Sequence, residues 1–323
     1  MPATDTQPGT PIEIGLLLID GFALMSYASF IEPFRAANVL MGKQLYDWVH
    51  VSLAGGEACA SNGARLIADV QVGDALDCDM LFVFAAGDPR AFRDEACFAW
   101  LRAQSRRGIP IGGVSGGPYL LARAGLLGRR RATIHWEHAA ALQADFPDLC
   151  LEQGLYVVDS DRMTCAGGTA GLDLALALIE RDQGGSLARQ VGEWFIQAEP
   201  RKAQDVQRTD LATRHGTTNR RLLPVLTAMA AAIEEPVSHE ALANYAGVSL
   251  RQLERLCHAE LSTSVGEVYM ALRLDRALEL LRSTGLSVTE VAMACGFRGT
   301  AHFSRRFKQR HRRTPSSIRR PPS

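Results

Sequence analysis

Two stretches in the second half of the chain are near copies of one pattern. SHEALANYAGVSLRQLERLCHAEL begins at Ser238 and SVTEVAMACGFRGTAHFSRRFKQRH begins at Ser287. Each opens on a serine suited to cap a helix, carries apolar residues at helical spacing, breaks at a glycine and resumes as a helix. Leu242, Ala243, Ala246, Gly247 and Val248 match Val291, Ala292, Cys295, Gly296 and Phe297 at an offset of 49. Leu253, Arg255 and Cys257 then match Phe303, Arg305 and Phe307 at an offset of 50. A small residue followed by glycine permits a tight turn, so each copy has the outline of a helix-turn-helix whose second helix carries basic and polar side chains. Between them VGEVYMALRLDRALELLRS, from Val265 to Ser283, has the spacing of one long amphipathic helix. A rigid spacer of that kind can set two recognition helices in successive major grooves, about 34 Å apart on one face of DNA.

Charge is divided in the same sense. The 323 residues carry no net charge, yet residues 1–200 hold 15 Lys and Arg against 24 Asp and Glu, whereas residues 201–323 hold 20 against 11. An acidic module joined to a basic one that meets a polyanion accounts for this division, and so does a solvated basic surface. With 47% hydrophobic and 22% charged residues the chain reads as globular, with room for two domains. The start MPATDTQPGTP lacks the basic and apolar segments of a signal peptide, and no apolar run reaches membrane-spanning length. A loose tail over 1–11, no membrane association and a cytoplasmic location are therefore expected. The seven cysteines are scattered without a CxxC pair, so neither a disulfide framework nor a zinc site is expected; the sequence suggests no metal and no cofactor.

The first half alternates strand-like and helix-like stretches. IEIGLLLID, DWVHVSLAG, DMLFVFAAG and IPIGGV are short apolar runs suited to strands buried on both faces, with SFIEPFRAANVL and EACFAWLRAQSRRG between them at helical spacing. The expected fold is α/β, a doubly wound and mostly parallel sheet over residues 12–200, followed by a polar linker over 201–221 and an all-α double helix-turn-helix domain over 222–323. In IPIGGVSGGPYLLARAGLL an apolar strand runs through glycine-flanked Ser115 directly into a helix. That arrangement can expose a nucleophile, with backbone N–H groups at the helix start to stabilise an oxyanion.

Over roughly its last hundred residues the chain resembles the AraC/XylS transcription regulators, on GVSLRQLERL and on LRLDRALELLRSTGLSVTEVAMACGFRGTAHFSRRFKQRHRRTP. The resemblance implies that Arg251, Glu254 and Arg255 of the first recognition helix, and Thr300, Ala301, His302 and Arg305 of the second, face DNA. Arg can pair with guanine, Glu can accept from cytosine, and Thr or Ala can touch a thymine methyl. Arg306, Lys308 and Arg310 are expected at phosphates. The sequence departs from the family pattern at Cys257, at STSV after the first recognition helix and at Arg312.

The first domain resembles the class I glutamine amidotransferase-like superfamily, in the PfpI-like form joined to AraC-type regulators of the GlxA kind. GFALMSYASFIEPFRAAN, GGVSGGPYLLARAGLLGRRRATIHW and CAGGTAGLDLALALI carry the likeness. Enzymes of that superfamily place cysteine at the elbow, and the protease-like members follow it with histidine; here Ser115 is followed by Gly116. The acid of the enzymes falls at Ser26. A serine needs a base to attack at neutral pH; His135 and His138 are the distant candidate bases and Glu32 a candidate acid. The expectation is therefore no catalytic residue, with a serine amidase or protease-like hydrolase as the alternative and a ligand-free architectural DNA binder as a third reading.

GVSGGPYLLARAGLL and TIHWE also resemble the subgroup responding to glycine betaine, carnitine or arginine. The resemblance implies an activator of amine or amino-acid catabolic genes that binds operator DNA, a small amine metabolite and RNA polymerase, and that acts as a homodimer. Ser115, Gly116, Gly87, His135, Trp136, Glu137, Glu32 and Thr169 are the candidate ligand contacts, because ligands of open α/β sheets gather beyond the carboxyl ends of the strands. Tyr119 and Phe30 could serve as aromatic faces or as core.

Overall fold

The computed structural model describes residues 10–197, 199–207, 217 and 219–318, and the chain divides into two compact units after Gln207. Of the expected tail, residues 1–9 lie outside the described residues, as do 208–216 and 218 of the expected linker and 319–323 at the end.

The first unit runs β1 (Ile12–Leu18), α1 (Leu24–Met41), β2 (Tyr46–Ser52), β3 (Glu57–Cys59), β4 (Arg65–Ile67), β5 (Val70–Gln71), β6 (Met80–Ala85), α2 (Glu95–Arg106), β7 (Ile111–Ser115), α3 (Gly117–Arg123), β8 (Arg131–Ala132), α4 (Trp136–Asp145), β9 (Cys150–Leu151), β10 (Tyr156–Asp159), β11 (Arg162–Cys165), α5 (Ala170–Gln183) and α6 (Gly185–Trp194). Seven strands form one sheet in the order β10-β11-β7-β6-β1-β2-β5. Every pairing is parallel except β10 with β11, which turn back on each other through Ser160. Both faces are buried, and alternate residues along one strand feed two cores: Phe82 and Phe84 of β6 join Phe30 and Phe34 of α1, whereas Leu81 and Val83 join Phe98 and Tyr119 from the other face. Tyr119 and Phe30 are thus core residues.

The stretch RATIHW forms only a two-residue strand before α4 begins, and the β3–β4 hairpin has no counterpart in the expected elements. The linker also begins later than its composition suggests. Arg201 is bound to buried Asp173, the Ala203 carbonyl accepts from the Leu155 N–H, and Gln207 reaches Thr133, so residues 201–207 pack on the first unit.

The second unit contains α7 (Leu222–Ala231), α8 (His239–Tyr245), α9 (Leu250–Leu261), α10 (Val265–Ser283), α11 (Val288–Ala294), α12 (Thr300–His311) and α13 (Pro315–Ile318). Two apolar cores lie along α10: Val265, Val268 and Tyr269 pack with Leu242, Leu253 and Cys257, while Leu274, Ala277 and Leu281 pack with Val291, Phe303 and Phe307. The spacer helix is therefore a wall of both cores. No helix among the described residues is long and apolar enough to cross a membrane.

Candidate functional site

The repeat read in the sequence is a repeat of structure. Helices α9 and α12 have 12 residues each, and their last eleven positions follow the same order of burial at an offset of 50. Leu253 and Cys257 in one, and Phe303 and Phe307 in the other, face inward. Gly247 and Gly296 hold the two turns with φ of 62° and 72°, and both recognition helices end on a left-handed non-glycine residue, Ser262 and Arg312. Ser238 and Ser287 cap α8 and α11 by accepting the Ala241 and Glu290 N–H groups. Arg251 and Arg255 are exposed one turn apart on α9, and Thr300, Ala301, His302 and Arg305 are exposed along α12.

Three expected DNA contacts are occupied otherwise. Glu254 is half-buried, and its Oε2 accepts the Val265 N–H at 3.2 Å, so the carboxylate holds the start of the spacer helix rather than facing outward with Arg251 and Arg255. Arg306 donates to both oxygens of Glu267, at 2.7 and 2.6 Å. Arg310, one turn on, makes a two-pronged pair with Asp275 at 2.7 Å. Their positions explain this, because 306 and 310 lie on the side of α12 that meets α10, where the acids stand. Lys308 is exposed and has no ion pair among the described residues.

At the other site β7 ends on Ser115, which sits at φ 60° and is 6% exposed. A left-handed non-glycine residue of this kind stores about 1–2 kcal/mol, held here by close backbone approach on every side. A Cβ at Gly113 would lie 2.6 Å from the Pro118 nitrogen, and one at Gly117 would lie 2.1 Å from the Val83 carbonyl oxygen. The elbow that the glycines of GGVSGG suggest is present, with Ser115 in register beside Ala85 of β6.

Its chemistry is another matter. Among the described residues no histidine or carboxylate hydrogen-bonds the Ser115 hydroxyl. The Gly116 N–H is donated to the Ala85 carbonyl at 2.7 Å, which removes Gly116 from the expected anion donors. Ser26, at the position of the enzymes' acid, is buried and accepts the Gly168 N–H at 2.7 Å, while Ser29 donates to the Gly168 carbonyl at 2.5 Å. These bonds lay the Gly167–Gly168 loop over Ser115, so that a Cβ at Gly167 would fall 2.6 Å from the Ser115 Cβ. Cys165 offers no replacement, because complete burial pushes its thiol up to about 12.

His135 joins the elbow through its N–H, which donates to the Ser115 carbonyl at 3.3 Å. It starts α4, with half-buried Trp136 and Glu137 following and buried His138 one turn on; burial, helped by the neighbouring His135, pushes the His138 imidazole down to about 4. Gly87, exposed at φ 68°, lies two residues beyond Ala85 at the same end of the sheet. Thr169 is not a side-chain cap: its Oγ1 accepts from Arg201 at 2.8 Å. Glu32 is spent on Arg35, 2.7 Å away and one turn along α1, and so is not a carboxylate waiting at the elbow.

Gln207 is the participant the sequence did not announce. Its Oε1 accepts the Trp136 N–H at 2.8 Å, and its Nε2 lies 2.9–3.0 Å from Thr133 Oγ1 and the carbonyls of Ile134 and Gly154. It lies in a polar segment without periodicity, so only the fold brings it to the strand end.

Comparison with known proteins joins the two sites in one family. Residues 13–181 match the DJ-1/PfpI family, and residues 242–321 match a helix-turn-helix domain family. HTH-type transcriptional regulator GlxA of Rhizobium meliloti is 43% identical over 309 residues, covering 95% of each chain. The chain belongs to the GlxA-like helix-turn-helix transcriptional regulators. HTH-type transcriptional regulator CdhR of Pseudomonas aeruginosa is 42% identical, over 94% of this chain and 90% of its own, and ArgR of the same organism is 34% identical over 96% and 93%. Among solved structures, an AraC family transcriptional regulator from Pseudomonas putida shares the fold over 57% of this chain and all of its own, with a TM-score of 0.51 and 24% identity. A THiJ/PfpI family protein from Pseudomonas syringae does so over 76% and 98%, with a TM-score of 0.52 and 21% identity. The protein is a DNA-binding transcription regulator: a DJ-1/PfpI-like α/β domain with a mostly parallel sheet, joined to an AraC-type helix-turn-helix domain.

Proposed function

We propose that the α/β unit of this regulator is a receptor for a small amine or amino-acid metabolite, of the betaine, carnitine or arginine type, and not an enzyme. The observation that carries this reading is Ser115: the elbow's backbone is kept, strain included, while among the described residues no histidine or carboxylate hydrogen-bonds the hydroxyl. A site that keeps its shape without its chemistry is suited to binding. Half-buried Trp136 offers an aromatic face and Glu137 a carboxylate for a quaternary or guanidinium cation, and Ser115, Gly87 and His135 line the adjoining strand ends. Gln207, clasped to Trp136, sets the exit of the chain from this unit beside the same site, which supports a signal passing to the DNA-binding unit.

On this reading Arg251 and Arg255 read one half of the operator, while Thr300, Ala301, His302 and Arg305 read the other, with Lys308 at phosphate. The regulator acts as a homodimer and activates transcription through RNA polymerase when the metabolite is bound. Calorimetric titration of the full chain with glycine betaine, dimethylglycine, carnitine and arginine tests the receptor, with ester and amide hydrolysis measured on the same sample. Saturable binding of one of them without turnover is expected. Turnover that is lost in Ser115→Ala, with no binding of any of the four, would sink the proposal and return Ser115 to the role of nucleophile.

A further inference from the structure

We infer that the first turn of α4 holds a divalent late transition-metal ion, of which Zn2+ is the natural probe, through His135, Glu137 and His138. One ligand atom from each of the three lies within 4.8 Å of the other two. His135 and His138 stand three residues apart and so share one face of the turn, and the Glu137 carboxylate comes within 3.9 Å of His135 Nδ1. Ligand atoms around a tetrahedral zinc ion are about 3.3 Å apart, as its ~2.0 Å bonds require, so side-chain rotations of about an ångström complete the site. Two imidazoles and one carboxylate suit zinc, nickel or copper, whereas magnesium and calcium prefer all-oxygen shells.

A second observation points the same way. His138 is only 3% exposed, yet among the described residues no hydrogen bond engages its ring. A metal ion would give this ring a partner within the cluster. His135 Nδ1 at present accepts the Glu137 N–H only at 3.4 Å, a long bond that an ion readily replaces. His135 and Glu137 have further contacts with which the ion competes, and the positive end of α4 opposes it by less than about tenfold in affinity. Three protein ligands leave at least one position open for water or an anionic group. The inference does not rest on the metabolite reading, and a bound ion would compete with a ligand cation for the Glu137 carboxylate.

The test is equilibrium dialysis and calorimetry of the full chain, freed of metal by chelator and titrated with Zn2+. The expected result is one ion per chain, with affinity at least tenfold weaker in Glu137→Gln and in His138→Ala, retained in Glu137→His, and unchanged in His258→Ala on the other unit. Circular dichroism reports whether His138→Ala folds; if it does not, the Glu137 pair decides, because glutamine removes a ligand that histidine restores. Absence of stoichiometric uptake, or uptake that Glu137→Gln retains in full, would overturn the assignment.

Discussion

Replacing Gly167 by alanine probes the loop that closes over Ser115. Gly167 sits at φ 82°, and its added Cβ would lie 2.6 Å from the Ser115 Cβ, 2.8 Å from the Ser26 Oγ and 3.0 Å from the Ser115 Cα. The left-handed backbone alone costs an alanine about 1–2 kcal/mol. Forcing a methyl against the backbone of an already strained elbow adds about 1–3 kcal/mol, because Ser26 and Ser115 are both buried and cannot withdraw. The expected total is about 2–5 kcal/mol of lost stability in the first unit. Gly168→Ala is the control: its φ is 57° but nothing lies within 4 Å of its Cβ, so only the backbone cost of about 1 kcal/mol remains. Urea unfolding of the full chain, followed by the transition of the α/β unit, measures both. In the double variant with Ser115→Gly, which removes the 2.6 Å contact, the cost of Gly167→Ala should fall by about half. Equal losses for the two glycines, or no coupling to Ser115, would refute the placement of this loop on the elbow.

Arg305→Ala should weaken binding to a specific operator by about 1–3 kcal/mol and leave binding to random DNA nearly unchanged, as competition gel shifts would show; equal loss on both would make Arg305 a phosphate contact. Glu254→Ala should lower thermal stability by about 1 kcal/mol through the lost support of Val265 and leave operator sequence preference intact; a changed preference in a binding-site selection would put Glu254 at the bases after all. His50 couples stability to pH. Burial lowers its pKa, against the opposing pull of Asp69, and Tyr27 lies 2.8 Å from its Nε2. The unfolded chain then binds the proton more readily, so stability is lost as pH falls below about 6.5 and regained as pH rises through that window. His50→Gln should flatten the dependence of the unfolding midpoint on pH between about 5 and 7, and an unaltered slope would assign the effect to other groups.

The helix-turn-helix pair was legible because its signals are local. A serine cap, apolar residues three and four apart and a glycine that alone adopts the turn's φ without strain all act within a dozen residues, and they recur at offsets of 49 and 50. The parallel sheet and the elbow were legible for the same reason, since runs such as MLFVFA and the glycines around Ser115 carry their constraint in their own composition. Side-chain partners were not. Glu254 and Arg306 are exposed-looking residues on amphipathic helices, and whether each meets DNA or a neighbouring group depends on which helix packs alongside. Tertiary structure gives Glu254 the Val265 N–H and Arg306 the Glu267 carboxylate. It likewise consumes the Gly116 N–H on Ala85 and carries Gln207 to the strand end beside Trp136, more than seventy residues away in the chain. Sequence by itself thus determined the elements, their order and the two modules, because short-range sterics and burial periodicity set them. Only the fold decided which polar groups remain available to a partner, because each polar group is satisfied by whatever long-range packing brings within about 3 Å.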